Sequence, residues 1–236
     1  MRTSVVILAG GVGSRMDSSI PKQFMLIKRK PVVVYTIENF QKNDRIDDIV
    51  VVCNHDWIDH MNDLVKEFNL TKVRWVVNGG NTSHDSTRNG LYQLKNYLSD
   101  DDFVIIHDAA RPIVPQILID EMLDTGYEKG NACMAIPCYE TILLTDDKKS
   151  GTEQMDRDRI MRVQTPQMYQ YGKILHLYER CDEENIHDIV YANLVAIRYG
   201  ERIYFSRGFS NNIKITKKED VHLCEALMEL NDEELL

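Results

Sequence analysis

The stretch Ser4–Phe24, SVVILAGGVGSRMDSSIPKQF, joins an apolar run to a glycine-rich loop that carries two cations. A β-branched run broken by glycine reads as a strand buried on both faces. The loop after it then stands at the strand's carboxyl end, where open α/β sheets place ligands. Glycines there imply that backbone comes close to a bound group.

Working outward, further runs of the same kind follow: DDIVVVC from Asp47, VRWVV from Val73, DFVIIHD from Asp102 and ACMAIP from Ala132. Segments of helical period lie between them. PVVVYTIENFQ opens with Pro31, which suits a first helical turn. DHMNDLVKEF sets Met61, Leu64, Val65 and Phe68 on one face, and STRNGLYQLKNYL does so with Leu91, Leu94 and Leu98. This alternation predicts an α/β fold, a mostly parallel twisted sheet flanked by helices. After Pro137 the rhythm changes. Two β-prone pieces, Thr141–Thr145 and Ile160–Gln164, surround a charged stretch and predict a projecting β-arm over about residues 138–164. KILHLYERC reads as a helix, ERIYFS as a strand, and KKEDVHLCEALMEL as a closing helix with Thr216 and Glu219 as its capping box. No internal repeat or low-complexity linker appears, so one domain over 1–236 is the expectation.

A net charge of −9 repels nucleic-acid backbone and anionic membrane alike, so any phosphate must be gripped locally. Five cysteines, without paired CxxC spacing, read as reduced structural thiols. No apolar stretch approaches the roughly 20 residues of a membrane span, and the first residues do not form a signal peptide. A cytoplasmic protein without nucleic-acid or membrane partners is expected.

Three readings of the glycine loop compete. A Walker A loop needs a glycine followed by Lys and then Ser or Thr, which is absent. A dinucleotide fingerprint fails because Met16 stands where its third glycine should be, and no strand-terminal acid follows at about 20 residues. The third reading is an anion grip. Gly10, Gly11 and Gly13 turn backbone amides toward a polyphosphate, with Arg15 and Lys22 as its cations. The alternative is a basic surface loop.

LAGGVGSRM…PKQF, GG…DS from Gly79, HDAARP from His107, TPQ from Thr165 and NIKIT from Asn212 together resemble the cytidylyltransferases that make CDP-activated polyols. That family includes the 2-C-methyl-D-erythritol 4-phosphate and the ribitol 5-phosphate enzymes. The resemblance runs over nearly the whole chain and implies a Rossmann-like nucleotidyltransferase domain. It also implies CTP as substrate, Mg²⁺ as cofactor, a polyol phosphate as acceptor, and a homodimer built through the arm. By the same resemblance Arg15, Lys22 and Lys214 are catalytic. Ala9, Gly10, Gly11, Gly13, Gly80, Asn81 and Ser86 hold the nucleotide. Asp108 is the metal ligand and joins Arg111, Thr141, Arg157, Thr165 and Asn211 around the acceptor, with Thr141 and Arg157 reaching a second subunit.

From the residues alone, the alternatives are Ser86 as a helix N-cap, Asp108 as a turn cap, and Arg157 as a solvated charge. His107 reads as a packed core histidine. Arg111 either pairs with Asp108 or shapes the loop. The chain departs from many relatives at Ser83, where they carry Arg, and at Tyr191 and Asn211, where they carry acids. The last two changes bear on the polyol, and they favour an alditol phosphate such as ribitol 5-phosphate or glycerol phosphate, for a wall or capsule polymer, over methylerythritol phosphate. Two rivals are a sugar-1-phosphate nucleotidyltransferase and a non-catalytic nucleotide-binding protein. Arg15, Lys22, Asp108 and Lys214 occurring together speak against the second.

Overall fold

The computed structural model describes residues 1–11, 20–230 and 232–235. In chain order the elements are β1 (Thr3–Ala9), a short ribbon of β2 (Leu26–Ile27) and β3 (Lys30–Pro31), α1 (Val32–Gln41), β4 (Asp48–Cys53), α2 (Ile58–Glu67), β5 (Val73–Asn78) and α3 (Ser83–Gln93). Then come β6 (Phe103–Asp108), α4 (Gln116–Lys129), β7 (Asn131–Pro137), β8 (Ile142–Leu144), β9 (Glu153–Met155), β10 (Met161–Gln170) and α5 (Tyr171–Glu183). The chain closes with α6 (Ala192–Arg198), β11 (Phe205–Arg207), α7 (Lys218–Leu227) and α8 (Asp232–Leu235).

Seven strands form one sheet in the order β11-β7-β10-β6-β1-β4-β5. All run parallel except β10, which is antiparallel to both neighbours. Because side chains alternate across a strand, each apolar run feeds two cores. Val5, Ile7, Ile49, Val51 and Ile105 pack with α1, α2, α4 and α7 on one face. Val6, Val50, Val52, Val104 and Ile106 pack with α3, α5 and α6 on the other. A Cβ on Gly90 of α3 would collide with Val6 and Val52, so glycine at this point lets the helix lie directly on the sheet.

Chain order reverses beside β1. The path moves outward through β4 and β5, then crosses back to β6 on β1's other side. Registers Leu8↔Asp108, Ala9↔Cys53 and Cys53↔Asn78 bring the carboxyl ends of these four strands level. A crevice outside the carboxyl ends at such a reversal is the usual ligand site of an open α/β sheet.

Several local expectations are corrected. The arm is a ribbon of β8 and β9, paired Ile142↔Met155 to Leu144↔Glu153. Ile160–Gln164 is therefore not its returning strand: Met161–Gln164 open β10, whose Met161, Arg162 and Val163 pair with β7. The predicted strand in ERIYFS narrows to Phe205–Arg207. Asp220, not Glu219, caps α7, accepting from the Thr216 amide at 2.7 Å and from its hydroxyl at 2.9 Å. Helix α4 is an addition to the sequence reading. Pro115 precedes it and Gly130 ends it at φ 84°, the left-handed conformation in which glycine avoids strain.

Candidate active site

A cavity of about 730 Å³ opens at the reversal point, a size suited to a small-molecule substrate. Its wall includes Gly10 and Gly11 after β1, Lys22 after the glycine loop, Gly80 and Asn81 after β5, and Asp108 at the end of β6.

The glycine loop is held at both ends. Pro21 opens a single turn over Lys22–Phe24, in which Gln23 and Phe24 are buried. Gln23 Nε2 donates to the Ala9 carbonyl at 2.6 Å and to the Gly11 carbonyl at 2.9 Å. Phe24 stacks on Trp57 with ring centroids 4.7 Å apart. Amide and ring together fix the backbone that presents Lys22 to the cavity.

The second wall rises from the start of α3. Its N-cap is Thr82, whose hydroxyl accepts from the Asp85 amide at 3.0 Å, while the Asp85 carboxylate accepts from the Thr82 amide at 3.3 Å. Ser86 is thus not the N-cap; its hydroxyl accepts from the Gly80 amide at 3.0 Å. A Cβ on Gly80 would overlap Asp85, so the loop passes the helix at a distance only glycine permits.

At the end of β6, Asp108 receives two cations. Lys214 Nζ is 3.0 Å from Oδ1 and Arg111 Nε is 3.1 Å from Oδ2. Burial pushes the Asp108 carboxyl up, but the charges of Lys214 and Arg111 outweigh it and hold the group at about 2. Arg111 also shapes the loop, donating from Nη1 to the Asn212 carbonyl at 2.6 Å. The Ile215 amide donates to the Ala110 carbonyl at 2.9 Å, which ties the strand-end loop to the segment carrying Lys214. Behind these groups the Asp108 amide donates to Thr165 Oγ1 at 3.2 Å, and Asn212 Nδ2 donates to the Thr165 carbonyl at 2.8 Å. His107 is a core residue. It is fully buried against Phe40, its Nε2–H donates to the Arg111 carbonyl at 3.0 Å, and burial pushes its pKa down to about 4.

Gly10, Gly11, Lys22, Gly80, Asn81, Ser86, Asp108, Thr165 and Lys214 therefore share one cavity. Gly13 and Arg15 lie outside the described residues. Ala9 is buried behind the wall, where its carbonyl accepts from Gln23. Arg111 supports Asp108 from the side. Thr141 and Arg157 belong to the exposed arm, where Arg157 Nη1 donates to the Tyr139 carbonyl at 3.3 Å. Asn211 does not line the cavity, its amide donating to the Leu235 carbonyl at 3.1 Å, whereas Tyr191 does. Sequence reasoning passed over Gln23, Thr82 and Gln167. Thr82 had a signal, the spacing Thr82-x-x-Asp85, and the two glutamines stood inside the PKQF and TPQ motifs without a role read for either.

Two cations and a strand-end carboxylate beside glycine-walled backbone suit the binding of a polyphosphate and the neutralisation of charge that builds during its transfer. The model of the 2-C-methyl-D-erythritol 4-phosphate cytidylyltransferase family, IspD, matches residues 3–230. The chain is 36% identical over 227 residues to a ribitol-5-phosphate cytidylyltransferase of Lacticaseibacillus paracasei, covering 95% of this chain and 97% of that one. It is also 36% identical over 228 residues to a 2-C-methyl-D-erythritol 4-phosphate cytidylyltransferase of Clostridium botulinum, covering 97% and 98%. The crystal structure of the Francisella tularensis 2-C-methyl-D-erythritol 4-phosphate cytidylyltransferase superposes with TM-score 0.81 at 26% identity, over 96% of this chain and 99% of that one. With both the fold and this length of sequence in common, the chain belongs to the 2-C-methyl-D-erythritol 4-phosphate cytidylyltransferase family and is a nucleotidyltransferase of the cytidylyltransferase class.

Proposed function

We propose that this enzyme transfers CMP from CTP to an unbranched polyol phosphate, ribitol 5-phosphate or a glycerol phosphate, releasing pyrophosphate and a CDP-polyol for a wall or capsule polymer. An oxygen of the acceptor phosphate attacks the α-phosphorus of CTP, and the bond from that phosphorus to the bridging oxygen breaks as pyrophosphate departs. Such a transfer asks the protein mainly for positioning and charge neutralisation. The observation that carries this reading is the single cavity holding both the glycine-walled slot with Lys22 and the Asp108–Lys214 pair. The slot suits a flat base and its triphosphate, with Gly10, Gly11, Gly80, Asn81 and Ser86 around them and Lys22 on the phosphates. Arg15 and Gly13 are proposed to complete that grip. Lys214 is assigned to the acceptor phosphate, with Asp108, Arg111 and Thr165 around it.

Equal identity to relatives named for ribitol 5-phosphate and for 2-C-methyl-D-erythritol 4-phosphate leaves the choice of polyol to the cavity wall. Tyr191 there, an aromatic group rather than a charged one, is what supports the unbranched acceptor.

Mg²⁺ is proposed as the cofactor. Among the described residues no group of three His, Cys, Asp or Glu side chains could hold a metal by itself, and Asp108 is the one described acid on the wall. This donor set fits Mg²⁺ that arrives on the triphosphate, since Mg²⁺ is commonly held by one or two carboxylates together with substrate phosphates and water. When bound, it would neutralise phosphate charge.

The chain is proposed to work as one cytoplasmic domain in a homodimer. Tyr139 and Leu143 of the arm are 68% and 54% exposed, and a two-stranded ribbon is marginal without a partner surface. Thr141 and Arg157 would then act at a second subunit's cavity. No helix among the described residues is long and apolar enough to cross a membrane.

The test is pyrophosphate release with CTP, Mg²⁺ and a panel of ribitol 5-phosphate, glycerol phosphates and methylerythritol 4-phosphate. Turnover fastest with an unbranched acceptor supports the reading. Turnover of methylerythritol 4-phosphate alone, of none, or equally with ATP and CTP overturns it.

A further inference from the structure

Helix α6 begins at an aromatic N-cap. Tyr191 occupies that position in extended backbone, φ −123° and ψ 145°, and its own side chain caps no amide of the helix. Helix N-caps favour Ser, Thr, Asp and Asn, because a short side-chain oxygen can take an amide of the first turn that otherwise lacks a partner. A phenol does not do this. Its ring instead stands on the cavity wall between Val190 and Ala192, and Tyr191 keeps 39% of its surface exposed. The ring centroid lies 5.8 Å from Lys214 Nζ, and Lys214 in turn lies 3.0 Å from Asp108. An aromatic face on the cavity wall beside Lys214 is placed to meet what binds there.

The base of this ring is fixed. The Leu194 amide donates to the Tyr191 carbonyl at 3.0 Å, and the Asn193 amide donates at 3.2 Å to Oε1 of Gln167, itself on the wall. Gln167 Oε1 is oriented in turn by the Tyr169 hydroxyl at 2.9 Å. Helix start and sheet are thereby joined directly beneath Tyr191.

We propose that Tyr191 is a specificity-determining residue for the acceptor. An extended, unbranched polyol chain lays its C–H side on the ring face while its phosphate sits at Lys214, and the phenolic hydroxyl meets a hydroxyl of the chain. Tyrosine suits this double contact because it offers a flat apolar body and a polar tip. A methyl branch lifts the chain from the ring and separates it from that hydroxyl, so branched acceptors are disfavoured. The inference rests on the polyol phosphate reading above.

The test compares wild type with Tyr191→Ser, Tyr191→Phe and Tyr191→Ala, measuring kcat and KM for CTP, for ribitol 5-phosphate and for methylerythritol 4-phosphate, together with Tm. Tyr191→Ser places a residue favoured at an N-cap, so its Tm is expected to stay near wild type while KM for ribitol 5-phosphate rises at least tenfold and KM for CTP stays within twofold. Tyr191→Ala is expected to lose the preference for the unbranched acceptor, and Tyr191→Phe to fall between. Unchanged acceptor KM and preference in Tyr191→Ser and Tyr191→Ala overturn the inference while leaving the polyol phosphate reading intact. Parallel losses for CTP and acceptor accompanied by a lower Tm also overturn it, because they indicate a structural role alone. Failure of wild type with every acceptor overturns the reading and the inference together.

Discussion

Gln23 donates from Nε2 to the carbonyl of Gly11 at 2.9 Å and so joins the two ends of the glycine loop. The same nitrogen reaches the Ala9 carbonyl at 2.6 Å, and the side chain is buried. Gln23→Met keeps the length and removes both bonds, leaving two carbonyls without their donor at a cost of about 1–3 kcal/mol. CTP is expected to bind roughly tenfold more weakly by calorimetry, because the proposed triphosphate grip depends on this loop. Cytidine, which lacks phosphates, is expected to bind as in wild type. Equal weakening of both ligands would show that Gln23 only supports the fold.

Lys214 is held against Asp108 and is assigned to the acceptor phosphate. Lys214→Met is expected to lower kcat on the order of 10²-fold, the usual loss when one positioned donor to a charged transition state is removed. CTP affinity should stay within a few-fold, because Lys22 and the glycines are the groups proposed to serve the nucleotide. A CTP affinity that falls as far as kcat would move Lys214 to the triphosphate.

His107 gives a pH dependence of stability. Its folded pKa of about 4 lies below the ordinary value near 6.5, so between those two pH values the unfolded chain binds a proton that the native protein does not. Stability from this group is complete above pH 6.5 and is lost as the pH falls toward 4, up to about 3 kcal/mol from the difference between those pKa values. Denaturant melts from pH 7 to pH 4 should show the fall, and His107→Asn should flatten it. An unchanged profile in the variant would assign the pH dependence to other groups.

The exposed apolar residues of the arm predict dependence on a partner. Leu143→Asp combined with Leu144→Asp should shift the protein from dimer to monomer in light scattering and lower activity most at low enzyme concentration. A dimer that survives both charges would exclude the ribbon from the interface.

Strands β1, β4, β6 and β7 were legible because each is buried on both faces and so is written as an unbroken apolar run. The ribbon was legible only by half. Glu153–Met155 is exposed and largely polar, so no hydrophobic pattern marks it, and the better β-former, Ile160–Gln164, drew the assignment although most of it belongs to the central sheet. Asp108, Lys22 and Lys214 could be chosen from motif chemistry. Gln23 and Gln167 lay inside the PKQF and TPQ motifs but their roles could not be read there, since an amide's role lies entirely in which carbonyl or amide it meets. Tyr191 and Asn211 looked alike as departures from relatives, yet tertiary packing sends one to the cavity and the other to the Leu235 carbonyl.

Strand β10 receives the chain from the arm and carries Thr165 and Gln167 to the cavity, its pairing with β7 shifting register between Val163 and Gln167. This continuity divides the chain into places where its length can drift and places where it cannot. Residues added at the turn between β8 and β9 would change the reach of the arm and leave the catalytic frame alone. A single residue added between Met161 and Val163, where β10 pairs with β7 residue by residue, would slip that register and turn side chains on one side of it to the opposite face. In the proposed dimer, the grip between two copies can therefore drift at the tip of the arm but not at its root, which is written in the same strand as Thr165 and Gln167 of the cavity.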